Sequence, residues 1–192
     1  MDIWQAYATT LTFSTISPRF YRLMLHDLYL ISAYLQLLTY LTREEETCTR
    51  KMYLFETMTS SRKISQKRKP ENFEILIFPI HLHDHWVLGA VHWNEKIICT
   101  YDTLSTQTHE VDLMEIKVSM ADFFMGLGGG DNWTLQSVKC PQQLNGSDCG
   151  VLLLGNARNL IIHRNLMDGT EADAFRVQII DSIENRRINF YD

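Results

Sequence analysis

Apolar positions along this chain fall into blocks whose spacing alternates between helical and extended. The run from Leu25 to Leu41, interrupted by His26, Asp27 and Gln36, predicts a packed amphipathic helix. Upstream, Ser14 to Arg22 reads as a loop or short turn; downstream, the polar break "TREEETCTR" leads to Lys51–Thr59, which suits helix or loop equally. "FEILIFPI" (73–80) is short, apolar and rich in β-branched residues, the pattern of a buried strand. "HWVLGAVHW" and "KIICTYD" follow as two more strands, joined at Asn94-Glu95 as in a tight hairpin. Glu110 to Met125 then carries Leu113, Ile116, Met120 and Phe124 at helical spacing, a core-facing stripe. After the loop "GLGGGDNW", the segment "WTLQSVK" predicts a further strand. Asp148-Cys149-Gly150 opens an apolar helix over Val151–Ile162, and Glu171 to Asn185 carries Phe175, Ile179 and Ile183 on one helical face.

This order predicts one α+β domain over residues 1–192, with a mostly antiparallel central sheet packed by helices. Composition changes little. Hydrophobic residues make up 45% and charged residues 21%, ordinary for a globular protein, and a net charge of -5 gives no global field for capturing nucleic acid. The basic run "SSRKISQKRKP" (60–70) reads as a solvated loop, with a nuclear-import or nucleic-acid patch as the sharper alternative. The N-terminal "MDIWQAYATT" lacks the basic region of a secretory signal, and no run reaches the roughly 20 apolar residues of a membrane span. The four cysteines, at 48, 99, 140 and 149, form no C-x-x-C pair. A reducing compartment, cytoplasm or nucleus, is therefore expected.

Candidate chemistry concentrates in two places. The first is "HLHDHW" (81–86), three histidines and an aspartate with a spacing close to that of metallohydrolases. Asp84 abuts His85 directly, however, and the other histidines supply no spaced ligand cluster, so a metal site at His81, His83 and His85 is the remote alternative. If the strand runs unbroken, His81 and His83 share the face of His85. With Asn94-Glu95 as a two-residue turn, Val87 faces Asp102. The aspartate then becomes a diagonal neighbour of His85, about 7–8 Å away by Cα. A three-residue turn would place the two on opposite faces. In the favoured register the carboxylate can hold one nitrogen of His85 and leave the other for proton transfer.

The second place is "CPQQLNGSDCGVLLL". Cys149 follows a loop-forming "NGSD" and begins a helix, where backbone N–H groups and the helix dipole favour a thiolate. The Gln143 amide could donate to a developing oxyanion beside the Cys149 N–H. A buried structural cysteine is the ordinary alternative, and it is the reading for Cys48, Cys99 and Cys140.

"HW" at 85–86, "YD" at 101–102 and "PQQLNGSDCG" at 141–150 together resemble the ubiquitin-like-protein proteases, the SUMO (sentrin)-specific group. "LHDLYLISAYLQLL" resembles that family's early helix, with Met24 where a tryptophan is usual. "ILIFPIHL" resembles the strand leading to the catalytic histidine, and "FRVQIIDSI" the last helix. The resemblance implies a papain-like cysteine-protease fold. Cys149 would be the nucleophile, His85 the general base, Asp102 its orienter and Gln143 the oxyanion donor, while Trp86 would lie over a channel for a Gly-Gly tail. It implies hydrolysis after the C-terminal diglycine of a ubiquitin-like modifier, SUMO first; a monomer with no cofactor, metal, nucleic-acid or membrane partner is expected. A protease acting on ubiquitin or another diglycine modifier and an acyltransferase with the same relay are the alternatives on the same fold. A non-catalytic modifier-binding module is a third.

Overall fold

The computed structural model describes residues 28–44, 52–54 and 74–188. The turn expected at Ser14–Arg22, the basic run 60–70 and Cys48 lie outside them. A five-stranded sheet runs in the order β1-β2-β3-β4-β5, with β1 Met52–Leu54, β2 Ile75–Leu82, β3 His85–His92, β4 Ile97–Tyr101 and β5 Thr134–Val138. The described α-helices are α1 Leu28–Glu44, α2 Gln107–Phe124, α3 Cys149–Ile161 and α4 Ala172–Asn185. Among the described residues no helix is long and apolar enough to cross a membrane.

The β2, β3 and β4 ladders are antiparallel, as the hairpin pattern implies, but both outer pairings, β1 with β2 and β5 with β4, are parallel. The sheet is therefore mixed, with an antiparallel centre. The connection from β4 to β5 passes through α2, the crossover that a parallel pair needs. Within the ambiguous segment 51–59, residues 52–54 form the edge strand β1, too short to show a period of its own.

Helices cover both sheet faces, which is why β2 reads as a continuous apolar run rather than an alternating one. Ile75, Ile77, Leu88 and Ala90 pack with α1, α3 and α4, while Leu76, Phe78, Ile80, Val87 and Val91 pack with Leu113, Ile116, Met120 and Phe124 of α2. The helical stripe expected from Glu110 to Met125 is thus the core face of α2. Phe78 lies so close over Gly89 on the neighbouring strand that a Cβ there would collide with its ring, so the glycine in "HWVLGAV" is a packing requirement. After α2 the glycine cluster winds into a short π-turn, Met125–Gly129, in which Gly128 takes φ 87°, a left-handed value that suits glycine.

Two turns set the geometry of the site. Between β3 and β4 the chain reverses through Trp93–Lys96, with the Lys96 N–H donating to the Trp93 carbonyl at 3.3 Å. Leu88 consequently pairs with Tyr101, the two-residue-turn register. Between β2 and β3 the chain reverses at His83-Asp84, with Leu82 paired to His85 and His83 in the left-handed region at φ 48°. The strand does not run unbroken through "HLHDH": His81 lies opposite Trp86, and His83 stands exposed at the hairpin tip.

Candidate active site

The hairpin register brings the end of β4 beside the start of β3. His85 Nε2 donates to Asp102 Oδ1 at 2.7 Å, with both side chains buried. Asp102 lies just past the last ladder pair, and Oδ1 also accepts the Leu104 N–H at 2.9 Å, an Asx turn that fixes the carboxylate. Its backbone carbonyl is held as well: Gln142 Nε2 donates to it at 3.1 Å and Cys140 Sγ at 3.0 Å. The stretch before Cys149 is thereby tied to Asp102.

Cys149 begins α3, as the sequence predicts, and is 1% exposed. Its thiol lies within hydrogen-bonding reach of His85. Because Asp102 occupies Nε2, Nδ1 is the nitrogen left for the sulfur. The loop ahead of Cys149 is pinned by a buried ion pair between Asp148 and Arg176 of α4, and Asn145 Nδ2 donates to the other oxygen of Asp148 at 2.7 Å. Asn145 Oδ1 accepts from the Ser147 N–H and hydroxyl, which closes the "NGSD" turn. Gln143 is oriented by Thr103, whose hydroxyl donates to its Oε1 at 3.1 Å, and one N–H of its amide goes to the Asn145 carbonyl at 2.6 Å. These two bonds fix the plane of the amide and use one of its two N–H groups.

Electrostatics favour a charged relay. Burial alone would push His85 down, but hydrogen bonds to Asp102 and Cys149, reinforced by the charges of those groups, hold it up at about 9. Burial would raise Asp102, yet hydrogen bonds from His85 and the Leu104 N–H, the His85 charge and a bond from His109 hold its carboxyl below the ordinary carboxylate value. Burial, together with the nearby Asp102 charge, pushes Cys140 up to about 11, and burial raises Cys99, so both stay thiols, as the structural reading of them requires.

Since His85 binds its proton more tightly folded than at its ordinary 6.5, the stabilisation it contributes is complete below 6.5 and lost as pH rises through about 9. We expect urea midpoints of the parent to fall between those values, and Asp102→Asn to flatten that part of the curve. Identical slopes in the two proteins would show that His85 carries no such linkage.

Trp86 follows His85 on β3. Its indole is 3% exposed and leans on the His81 ring at 4.5 Å between centroids, because the reversal at His83-Asp84 sets the two residues opposite each other. It stands next to His85 in sequence, with its ring packed among buried neighbours. His81, His83 and His85 do not gather: His83 faces Asp112 of α2 at 3.6 Å.

One residue escaped sequence reasoning altogether. His109, in the first turn of α2, places Nδ1 3.0 Å from Asp102 Oδ2 and stacks on His85 with centroids 5.1 Å apart. Its position seven residues beyond the acid carries no periodic signal. His85, Asp102 and His109 are the only described group of three whose donor atoms, within 4.8 Å of one another, could hold a metal. Their 2.7 and 3.0 Å contacts are hydrogen-bond lengths, shorter than the separation of about 3.3–3.5 Å that two ligands take around a tetrahedral ion with bonds near 2.1 Å. The arrangement is a hydrogen-bonded chain through the carboxylate of Asp102.

Residues 29–188 match the model of the Ulp1 protease family, C-terminal catalytic domain. A sentrin-specific protease of Caenorhabditis elegans is 31% identical over 90 residues, 41% of this chain and 12% of that protein. Sentrin-specific protease 2 of Homo sapiens is 31% identical over 84 residues, 41% of this chain and 14% of that protein. The chain thus matches only about an eighth of the length of these relatives. Among solved structures, the C-terminal Ulp1 protease domain in complex with SMT3, the yeast ortholog of SUMO, superposes with a TM-score of 0.57 at 26% identity, covering 62% of this chain and 56% of that one.

Proposed function

We propose, from the premise that this chain belongs to the Ulp1 protease family, that it is a cysteine protease cleaving the peptide or isopeptide bond after the C-terminal diglycine of a ubiquitin-like modifier, with SUMO the first candidate. The observation that supports this reading is the meeting of His85, Asp102 and Cys149 from β3, the end of β4 and the start of α3. The complex of a similar protease domain with a SUMO ortholog supports the choice of modifier.

In this reading His85 and Cys149 work as an imidazolium–thiolate pair. The sulfur attacks the carbonyl carbon of the terminal glycine, and the oxyanion is met by the free N–H of Gln143 and the backbone N–H of Cys149. His85 gives its proton to the departing amine as the C–N bond breaks, leaving a thioester. It then takes a proton from water, whose oxygen displaces the sulfur, and the carboxylate of the modifier departs. Asp102 holds Nε2–H throughout, so that Nδ1 is always the nitrogen facing the sulfur. A tail without side chains reaches this buried thiol most easily, and Trp86, beside the base, forms the wall that excludes larger residues. The folded body of the modifier supplies binding energy away from the reacting bond.

The test is a panel of SUMO, ubiquitin and other diglycine modifiers carrying a C-terminal electrophile, with labelling located at Cys149 by peptide mass. SUMO probes are expected to label fastest. Preferential labelling by ubiquitin would move the reading to the alternative protease on this fold. Absence of labelling by every probe, while a small alkylating agent still modifies Cys149, would remove the diglycine substrate class. Acetyl transfer from acetyl-coenzyme A to an amine acceptor would favour the acyltransferase.

A further inference from the structure

We propose that His109 is a positioning residue of the relay: its Nδ1–H clamps the outer oxygen of Asp102, its ring backs the ring of His85, and it shares the charge with which the carboxylate holds the base. The inference rests on the assignment of His85 and Asp102 made above.

The geometry is two-sided. Oδ1 of Asp102 accepts from His85 Nε2 and the Leu104 N–H, whereas Oδ2 accepts from His109 Nδ1 at 3.0 Å. A carboxylate gripped at both oxygens cannot rotate away from its histidine. The two imidazole planes are within 10° of parallel at 5.1 Å, so the second ring also limits the tilt of the first. His109 itself is fixed from its backbone: its N–H donates to Oγ1 of Thr106, the N-cap of α2, at 3.2 Å. A ring that served only as packing would need neither the parallel register with His85 nor a polar contact with the acid. Here one ring has both.

The consequence is electrostatic. The groups facing His85 are Asp102 from the end of β4, Cys149 from α3 and His109 from α2. On α2, Asp112 is turned toward His83 instead, while Glu110 lines a cavity of about 250 Å³ beside Asp102. A donor on Oδ2 draws charge toward itself, and less remains to stabilise the imidazolium of His85. Removing that donor therefore leaves His85 holding its proton to higher pH.

Two substitutions separate the parts. His109→Phe keeps a flat ring and loses the donor; His109→Asn places an amide N–H near the position of Nδ1 and loses the ring. The readout is the rate at which iodoacetamide alkylates Cys149, followed by peptide mass across pH, with thermal melts of each variant. In His109→Phe the alkaline limb of the profile is expected to move up by about half a pH unit or more, while His109→Asn keeps the parent limb. A His109→Phe profile that superimposes on the parent's would overturn the proposal. So would equal shifts in both variants accompanied by equal losses of melting temperature, because that pattern marks a merely structural residue. His85→Ala serves as the control on the premise: if it leaves the limb in place, the relay assignment itself fails.

Discussion

Replacement of Cys149 by alanine is expected to lower turnover of a diglycine-modifier conjugate by about 10⁴-fold or more while leaving modifier binding within a few-fold of the parent. The asymmetry follows from where the thiol sits. It is 1% exposed at the first turn of α3, so it offers a partner's folded surface almost no contact area, yet it is the only sulfur within reach of His85 among the described residues. Cys140 cannot substitute for it: its Sγ donates to the Asp102 carbonyl, and burial holds it as a thiol. Turnover by fluorogenic release and binding by calorimetry measure the two halves separately. A variant retaining a tenth of the parent rate would exclude Cys149 as nucleophile. Catalytic silence in the parent, with tight binding in both proteins, would instead identify a modifier-binding module.

The second large effect concerns stability. Arg176→Ala is expected to destabilise the fold by about 3–5 kcal/mol, because it leaves the buried carboxylate of Asp148 without its cation. Asp148 is 2% exposed and Arg176 6%, so solvent cannot compensate. Asn145 keeps one hydrogen bond to the stranded carboxylate, too little to offset a buried charge. The same change should slow alkylation of Cys149, since an unneutralised negative charge one residue away disfavours the thiolate. Urea unfolding measures the first effect and iodoacetamide kinetics the second. Asp148→Asn combined with Arg176→Met is expected to recover part of the stability, as removing both charges of a buried pair costs less than removing one. A loss below 1 kcal/mol in the single variant would show that the pair is dispensable.

How far the sequence reaches is seen most clearly in the hairpin. The short turn between β3 and β4 was enough to place Asp102 on the face of His85 once it is read as a two-residue turn, since a slip of one residue inverts every side chain. The helix start at Cys149 was likewise local, written in "NGSD". What could not be read was tertiary. His109 approaches the acid only because α2 folds back along the sheet, and Arg176 reaches Asp148 from a helix 28 residues further on. The face shared by His81, His83 and His85 was misjudged for a different reason. A strand pattern gives no warning of a reversal when the turn residues are themselves polar, and His-Asp lacks the glycine or asparagine of a usual hairpin turn. Parallel pairing at both sheet edges was hidden because strand direction is set by crossovers, not by local sequence.

The ion pair that pins the nucleophile loop also has a meaning in time. During synthesis Asp148 leaves the ribosome 28 residues ahead of Arg176. Until the later helix has emerged and docked, the carboxylate just ahead of Cys149 lacks its cation. The surroundings of Cys149 are therefore completed only once α4 has joined the fold.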